Sequence, residues 1–253
     1  MTKRISHISC VIIVKNAQKT ITNTLASLSL FDDVVLYDNG STDQTMQIAK
    51  TFKNVNLIQG EFKGFGWTKN HAAKFAKNNW VLSLDADETI SMQLADTLCL
   101  LKPDPDNIYI IKRINFYREF EIKHCWGNDM LMRLYNKNIT SFSDSFVHEH
   151  LLIKNLHAAT IDGTLKHFPY SDITDFIIKL DIYSTLFAKD KAGKKSSSPQ
   201  KAIANGLFSF FKTYFFKRGF LDGYAGLVIA FSHMATNFYK YIKLYELNKE
   251  LKK

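Results

Sequence analysis

The chain has 253 residues, of which 46% are apolar, enough for the packed core of one large or two small domains. This composition excludes a disordered tail. The net charge of +9 is uneven, because residues 1–165 hold 18 Lys and Arg against 17 Asp and Glu, whereas residues 166–253 hold 15 against 7.

The cysteines and the N-terminus both indicate a reducing compartment. Cys10, Cys99 and Cys125 are far apart and have no paired spacing, which indicates neither a zinc cluster nor a disulfide framework. The apolar run at residues 11–14 is too short for a signal peptide or a membrane span. We therefore expect a cytoplasmic protein.

Short apolar runs alternate with helix-like stretches along the first hundred residues. The β-branched runs predict buried strands at 7–14, 33–38, 54–60 and 80–87. Apolar residues at helical spacing predict helices at 16–30, 41–52 and 66–79. Ser41 or Thr42 is the expected N-cap of the second helix. Alternation of this kind predicts an α/β fold with a mostly parallel sheet that is covered on both faces and binds ligands beyond its carboxyl edge.

Polar residues follow three of these strands. Asn16 follows the first, Asp38 the second, and Asp85 and Asp87 the fourth. Residues two apart in an extended segment point to the same side, so Asp85 and Asp87 can address one ligand. Paired carboxylates suit Mg²⁺ or Mn²⁺ held against a diphosphate. The alternative is a solvated turn in which Asp87 or Glu88 caps a helix that begins near residue 90.

The middle of the chain, residues 103–165, loses the alternation of strand and helix and gains aromatic residues. It also contains His148, Glu149 and His150 in one short stretch. A dedicated zinc site is not expected there, because the metalloprotease pattern places its histidines one helical turn apart.

The last third of the chain, residues 166–253, is basic and rich in aromatic residues. Lys212, Lys217 and Arg218 are interspersed with phenylalanines, a pattern typical of a segment that lies on an anionic membrane surface. The alternative is a helical lid or a dimer contact whose phenylalanines belong to the core. Residues 190–201 predict an exposed loop between helices. The near-neutral first 165 residues argue against a nucleic acid as partner.

The motifs SCVIIVKNAQKTI, VVLYDNGSTDQT, GFGWTKNHA and WVLSLDADETIS resemble, in order and spacing, the nucleotide-sugar-binding half of family 2 glycosyltransferases, which have the GT-A fold. GFG with KN, then VHEHL and GFLDGYAGL, resemble more narrowly the lipopolysaccharide core glucosyltransferase branch. The resemblance implies a nucleotide-sugar-binding half at 1–102, an acceptor-binding half at 103–165, and a helical extension at 166–253.

The resemblance also implies roles for the donor-binding residues. Asp38 would bind the uracil ring, although an Asx-turn also explains it, and Asn16 would flank the base. Lys69 would meet the pyrophosphate. Asp85 would contact the ribose or the metal, and Asp87 would be the principal ligand of Mg²⁺ or Mn²⁺.

The remaining roles concern the general base, further metal or phosphate contacts, and two glycines. Glu149 would be the general base, with Asp129 as the second candidate. His148 or His150 would complete the metal shell or bind phosphate, and Arg133 would either pair with phosphate or form a surface ion pair. Gly64 and Gly66 would let the backbone approach the nucleotide, or they belong to a flexible loop.

The implied activity is a metal-dependent, inverting transfer of a hexose from a UDP-sugar to a hydroxyl of a lipopolysaccharide or lipooligosaccharide core. It would take place at the inner face of the cytoplasmic membrane. Another surface glycan or a lipid-linked oligosaccharide is the alternative acceptor. A non-catalytic sugar-nucleotide or nucleic-acid binding protein is the remote alternative.

Overall fold

The computed structural model describes residues 3–127, 129–145, 149–153 and 155–251. The chain divides into two compact units. Unit 1 is Met1–Ile114 with Asp129–Phe168, and unit 2 is Asn115–Asn128 with Pro169–Lys253. The middle section, 103–165, therefore contributes to both units.

Unit 1 is built around four parallel strands in the order β3-β2-β1-β4. They are β1 (Ile8–Val14), β2 (Val34–Asp38), β3 (Val55–Gln59) and β4 (Trp80–Asp85). Every residue of β1 and β2 is buried, as expected for strands covered on both faces. The α/β fold and these four predicted strands are confirmed.

The sheet continues beyond β4 with antiparallel strands for which the sequence has no clear pattern. The remaining strands are β5 (Glu88–Ile90), β6 (Asn107–Tyr117), β7 (Phe120–Ile122), β8 (Asp129–Asn136) and β9 (His157–Tyr170). Strand β8 pairs with both β4 and β6, and β5 pairs with β9. The sheet is therefore mixed, and residues of β5, β6 and β8 lie close together although they are distant in sequence.

Four helices accompany the strands of unit 1. They are α1 (Ile21–Ser27), α2 (Thr45–Ala49), α3 (Phe65–Ala73) and α4 (Met92–Leu100). All three predicted helices are present, but the cap predicted at Ser41 or Thr42 is wrong, because α2 begins only at Thr45. Helix α4 is capped by Ser91, whose side chain accepts a hydrogen bond from the Leu94 amide. Neither Asp87 nor Glu88 is therefore a helix cap.

Unit 2 is mostly helical, which confirms the predicted helical extension. Its helices are α5 (Ile173–Lys191), α6 (Pro199–Phe211) and α7 (Gly223–Glu250), with a π-helical turn at Lys212–Phe216 and a 3-10 turn at Gly219–Asp222. The predicted loop between helices lies between α5 and α6. Within the described part of the chain, no helix combines the length and the apolar character needed to cross a membrane.

The GFLDGYAGL motif forms a packed turn in unit 2. The buried Asp222 carboxylate accepts hydrogen bonds from the backbone amides of Lys123, His124 and Cys125, at 2.8–3.2 Å. A Cβ at Gly226 would collide with the carbonyl oxygen of Gly219. The motif therefore fixes the loop at 123–125 and the start of α7.

Candidate active site

The carboxyl edge of the parallel strands brings the strand-end acids together. Asp38 pairs with Val14 of β1, and Asp85 pairs with the adjacent Ile13. Because β1 lies between β2 and β4, the backbones of Asp38 and Asp85 are separated by two strand spacings, about 10 Å. This is the edge at which α/β sheets bind ligands.

Asn16 and Asp38 are joined through one loop. The Asp38 carboxylate is 1% exposed and accepts hydrogen bonds from the amides of Gly40 and Ser41 at 3.1–3.2 Å. The backbone amide of Asn16 donates to Ser41 Oγ (2.9 Å), and its side-chain Oδ1 accepts from the backbone amide of Thr42 (2.8 Å). The bonds of Asp38 are those of the Asx-turn interpretation, and the nucleotide role of Asp38 and Asn16 stays a prediction.

A cavity of about 300 Å³ opens beside Asp85. It is lined by Lys69, Asp85, Arg113, Met130, Leu131, Met132, Arg133, Phe142, Glu149, His150 and Leu151. Six of these side chains carry charge or can carry it at neutral pH, and the cavity is also lined by apolar residues of β8. Such a combination of convergent ionisable groups in a cavity is the usual signature of a reactive site.

Seven charged side chains of alternating sign form a continuous ionic chain beside this cavity. In order they are Glu149, Lys69, Asp85, Arg133, Glu88, Arg113 and Asp129, and successive contacts measure 2.8, 3.2, 2.7, 2.7, 3.0 and 2.7 Å. Lys69, Arg133 and Glu88 are buried. Removing one partner of a buried ion pair costs about 3–5 kcal/mol, so each interior member depends on its neighbours.

The ionic chain sets the charge state of Asp85. Burial alone would raise the pKa of this carboxyl, but the charges of Arg133 and Lys69 outweigh burial and hold the pKa well below its usual range. The pKa of Arg133 is raised, because Asp85 and Glu88 outweigh its own desolvation. Asp85 and Arg133 therefore both stay ionised at neutral pH.

The two candidate bases lie at opposite ends of the ionic chain. Glu149 lines the cavity, its side chain is 15% exposed, and Oε1 lies 2.8 Å from Lys69 Nζ. Asp129 does not line the cavity, and its Oδ2 accepts from both Nε (3.1 Å) and Nη2 (2.7 Å) of Arg113. The geometry favours Glu149 as the carboxylate that reaches a bound molecule.

The GFGWTKN motif holds Glu149 in place through helix α3. Gly64 has φ of +95°, which permits the abrupt start of the helix. Asn70 donates to the Phe142 carbonyl (2.9 Å) and accepts from its amide (2.8 Å). A Cβ at Gly66 would collide with the Ser143 carbonyl oxygen, so the close approach at Gly66 is to the protein's own segment. Lys69 then completes the attachment by its contact with Glu149.

Asp87 lies apart from the ionic chain. Its side chain is 30% exposed, and its Oδ2 lies 3.6 Å from His167 Nε2. The described residues contain no group of three His, Cys, Asp or Glu side chains placed to hold a metal. Mg²⁺, however, is commonly held by one or two carboxylates together with substrate phosphates, so an accessible Asp87 carboxylate fits such an ion. Asp85 fits less well, because each of its oxygens already faces a cation.

The remaining predicted contacts have different outcomes. Arg133 is only 6% exposed and bonded to Asp85 and Glu88, so the surface ion-pair interpretation is wrong. His150 lines the cavity, and its amide donates to Ser143 Oγ (3.2 Å). His148 lies outside the described residues.

Sequence reasoning missed Asn70 and Arg113, and it misread Glu88. Glu88 was visible in the acidic cluster, but its pairing with two arginines had no local signal. Asn70 stands next to Lys69 in the KN pair, and only that adjacency pointed to it.

The comparisons with known proteins agree with one another on family. The sequence model of the family described as Glycosyl transferase family 2 matches residues 9–151. An uncharacterized glycosyltransferase of Rickettsia typhi is 31% identical over 257 residues, which cover 95% of this chain and 87% of that protein. The lipopolysaccharide core biosynthesis glycosyltransferase LpsC of Rhizobium meliloti is 24% identical over 245 residues, covering 88% of this chain and 89% of that protein.

A third relative is the poly(ribitol-phosphate) beta-N-acetylglucosaminyltransferase TarS of Staphylococcus aureus. It is 31% identical over 116 residues, which cover 41% of this chain and 20% of TarS. The crystal structure of TarS 1–349 in complex with UDP-GlcNAc covers 97% of this chain and 91% of that one, at 15% identity and a TM-score of 0.49.

The substitution Gly66→Ala tests how α3 holds the segment that carries Glu149. The added Cβ must displace the Ser143 carbonyl, so we expect unfolding free energy to fall by about 1–3 kcal/mol and the Ser143 amide, which donates to His150, to exchange faster. Chemical denaturation and hydrogen exchange measure the two effects. Lys74→Ala, an exposed change at the end of the same helix, should alter neither. Unchanged exchange at Ser143 in Gly66→Ala would contradict this packing role.

Proposed function

Because the chain belongs to glycosyl transferase family 2, we propose that it transfers a hexose from a UDP-sugar to a hydroxyl of a lipopolysaccharide or lipooligosaccharide core. The observation that carries the proposal is the cavity in which Lys69 and Arg133 stand beside the Glu149 carboxylate. Two cations suit a diphosphate, and a carboxylate at the same cavity suits an acceptor hydroxyl.

The relatives support two acceptor classes. LpsC, which aligns over 88% of this chain, favours a lipopolysaccharide core acceptor. TarS favours the second candidate, a different surface glycan, because its aligned region is more similar to this chain although it covers only 41% of it. TarS is named for transfer of N-acetylglucosamine, which supports a sugar nucleotide as donor. We prefer the core acceptor because that alignment includes both units.

The proposed reaction is a single displacement with inversion. The acceptor oxygen forms a bond to the anomeric carbon of the donor as the bond from that carbon to the diphosphate oxygen breaks. Glu149 receives the proton of the acceptor hydroxyl, and UDP departs with the electron pair of the broken bond. Lys69 and Arg133 stabilise the charge that develops on the diphosphate.

A divalent ion has a place in this proposal. Mg²⁺ or Mn²⁺ held by Asp87, with Asp85 beside it, would supply further charge stabilisation for the leaving diphosphate. The chain's own residues perform the remaining tasks. Asp38 and Asn16 hold the loop at 38–42, which would contact the nucleotide, and Glu149 takes the proton.

The donor and the base are tested together by a panel of UDP-sugars with a core oligosaccharide acceptor. We expect wild-type protein to release UDP in an acceptor-dependent manner from one of them. Glu149→Gln keeps the size of the side chain but removes its basicity, so turnover should fall by roughly a hundredfold or more while UDP binding, measured by calorimetry, persists. Asp129→Asn is the matched carboxylate change outside the cavity. If Asp129→Asn loses turnover while Glu149→Gln keeps it, with UDP binding unchanged in both, Asp129 is the base.

The metal role rests on Asp87. Replacing Asp87 with alanine removes the accessible carboxylate without opening a cavity in the core, so the fold should persist while turnover falls by roughly a hundredfold or more. UDP release is measured with Mg²⁺, with Mn²⁺ and with excess chelator. Asp96→Ala, which removes an exposed acid on α4, should leave turnover unchanged. Full activity of wild-type protein in chelator would exclude the metal.

We further propose that unit 2 docks on an anionic membrane. A basic aromatic patch, composed of Phe208, Phe211, Lys212, Phe215, Phe216, Lys217, Arg218 and Phe220, is exposed, and Phe216 reaches 76% exposure. The interpretation of these phenylalanines as the chain's own core is wrong for all five. Aromatic rings in and beside the patch contact one another. Phe211 is stacked on Phe215 with their ring centroids 5.6 Å apart, and the Tyr214 ring contacts those of Phe215 and Phe220.

Charge favours a lipid surface as the occupant of the basic aromatic patch. Between Asp190 and Asp222 the sequence has seven Lys or Arg and no acid. Apolar rings flanked by cations match a membrane interface, where the rings enter the headgroup layer and each cation contributes about 1 kcal/mol. A membrane-held enzyme would also meet a lipid-linked acceptor at its own surface.

Vesicle binding tests this surface. We expect co-sedimentation with vesicles that contain phosphatidylglycerol, decreasing with salt, and little binding to phosphatidylcholine alone. Replacing Lys212, Lys217 and Arg218 together with Glu should abolish the difference between the two vesicle types.

The matched control replaces Lys50, Lys53 and Lys74, exposed lysines of unit 1, with Glu. It changes net charge equally and should leave binding within about twofold of wild type. Equal binding of wild-type protein to both vesicle types would contradict the proposal. A dimer in light scattering that binds no vesicles would assign the patch to a second copy of the chain.

A further inference from the structure

Glu88 is a fully buried acid of unit 1. It is the first residue of β5, pairs with His167 of β9, and its side chain is 0% exposed. An isolated carboxylate in such a place costs several kcal/mol, so it persists only where its partners compensate for the loss of water.

The Glu88 carboxylate accepts hydrogen bonds from three different elements. Oε2 accepts from the Asp85 amide at 3.0 Å, which closes the turn after β4. Oε1 accepts from Arg113 Nη1 of β6 at 3.0 Å and from Arg133 Nη2 of β8 at 2.7 Å. One carboxylate oxygen therefore joins two guanidinium groups from neighbouring antiparallel strands.

Each of these arginines reaches a different acid with its remaining donors. Arg133 Nη2 also donates to Asp85 Oδ2 (2.7 Å), whereas Arg113 Nη2 donates to Asp129 Oδ2 (2.7 Å). The two guanidiniums carry like charge and repel. Burial and the charge of Arg133 lower the pKa of Arg113, but its contacts with Asp129 and Glu88 outweigh them and raise that pKa overall. Glu88 is the group that holds them side by side.

We infer that Glu88 is a positioning residue, which acts through Arg133 and Arg113 to fix where the cavity's cations stand relative to Asp85 and Glu149. The inference rests on the proposed function, because it gives those cations the diphosphate to orient. With Glu88 neutralised, the guanidinium of Arg133 loses a charged acceptor that fixes its position, and the donor binds with its anomeric carbon displaced from Glu149. A displacement of about 1 Å can lower turnover roughly a hundredfold.

The test compares Glu88→Gln with Asp33→Asn. Asp33 is a second buried acid of unit 1, 2% exposed, and it accepts a hydrogen bond from the Lys77 amide at 2.8 Å. It lies directly before β2, at the end of that strand opposite Asp38, and does not line the cavity. Both changes neutralise a buried carboxylate, so both should lower the melting temperature. Only Glu88→Gln should lower kcat, by roughly a hundredfold, while its UDP affinity stays within about threefold of wild type because Lys69 and Arg133 remain.

A second measurement does not depend on catalysis. Side-chain NMR signals report whether the guanidiniums of Arg113 and Arg133 rotate freely or are held in one orientation. The signals are assigned by removing each arginine in turn. We expect distinct signals in wild-type protein and in Asp33→Asn, and averaged signals in Glu88→Gln.

The two measurements separate this inference from the proposed function. A wild-type protein that releases no UDP from any UDP-sugar defeats the proposed function, whatever the arginine signals show. Arginine signals that stay locked in Glu88→Gln overturn the positioning role, whatever the turnover. A kcat of Glu88→Gln equal to that of Asp33→Asn also overturns it.

Discussion

The burial of Glu88 is the constraint on which the site depends. A carboxylate with no exposure must be matched by charge, and here it is matched by Arg113 and Arg133 on two antiparallel strands. Those arginines in turn require Asp129 and Asp85, and Asp85 requires Lys69. Each charge is therefore placed by its neighbour, and the alternation of sign extends from the sheet interior to the cavity wall. Replacing one interior member with an apolar residue would leave a neighbour unpaired, so the ionic chain behaves as a unit.

Helix α3 connects this electrostatic arrangement to the backbone. Gly66 lets the helix approach the segment after Phe142, Asn70 bonds to both the backbone amide and the backbone carbonyl of Phe142, and Lys69 contacts Glu149. The three residues lie within little more than one turn of this short helix and make three different kinds of interaction. The GFGWTKN motif therefore binds the segment that begins at Phe142, about 75 residues away in sequence, and its lysine also lines the cavity.

The sequence predicts the parallel half of unit 1 well, because β-branched runs and helical spacing are local signals. It also predicts that Asp38 and Asp85 meet at one edge, since parallel strands share a carboxyl edge. It does not predict β6, β8 and β9, whose burial alternates irregularly. Arg113 and the role of Glu88 depend on those strands, so neither had a signal in its own neighbourhood. The cap predicted at Ser41 fails for a related reason, because that hydroxyl is bonded to Asn16 and Asp38 instead.

The two charge-rich parts of the chain show opposite uses of the same residue types. In the ionic chain of unit 1 the cations Lys69, Arg133 and Arg113 are largely removed from water and each contacts two acids, which fixes their positions and limits their response to salt. In unit 2 the cations of the basic aromatic patch are exposed and stand among phenylalanines. Asp222 of the neighbouring GFLDGYAGL motif accepts hydrogen bonds from backbone amides of the loop at 123–125. Asp222 pairs with His124 and with these amides, and among the described residues it forms no ion pair with Lys217 or Arg218. The excess positive charge seen in the sequence is therefore available to a partner outside the chain, whereas the charge of unit 1 is balanced within it.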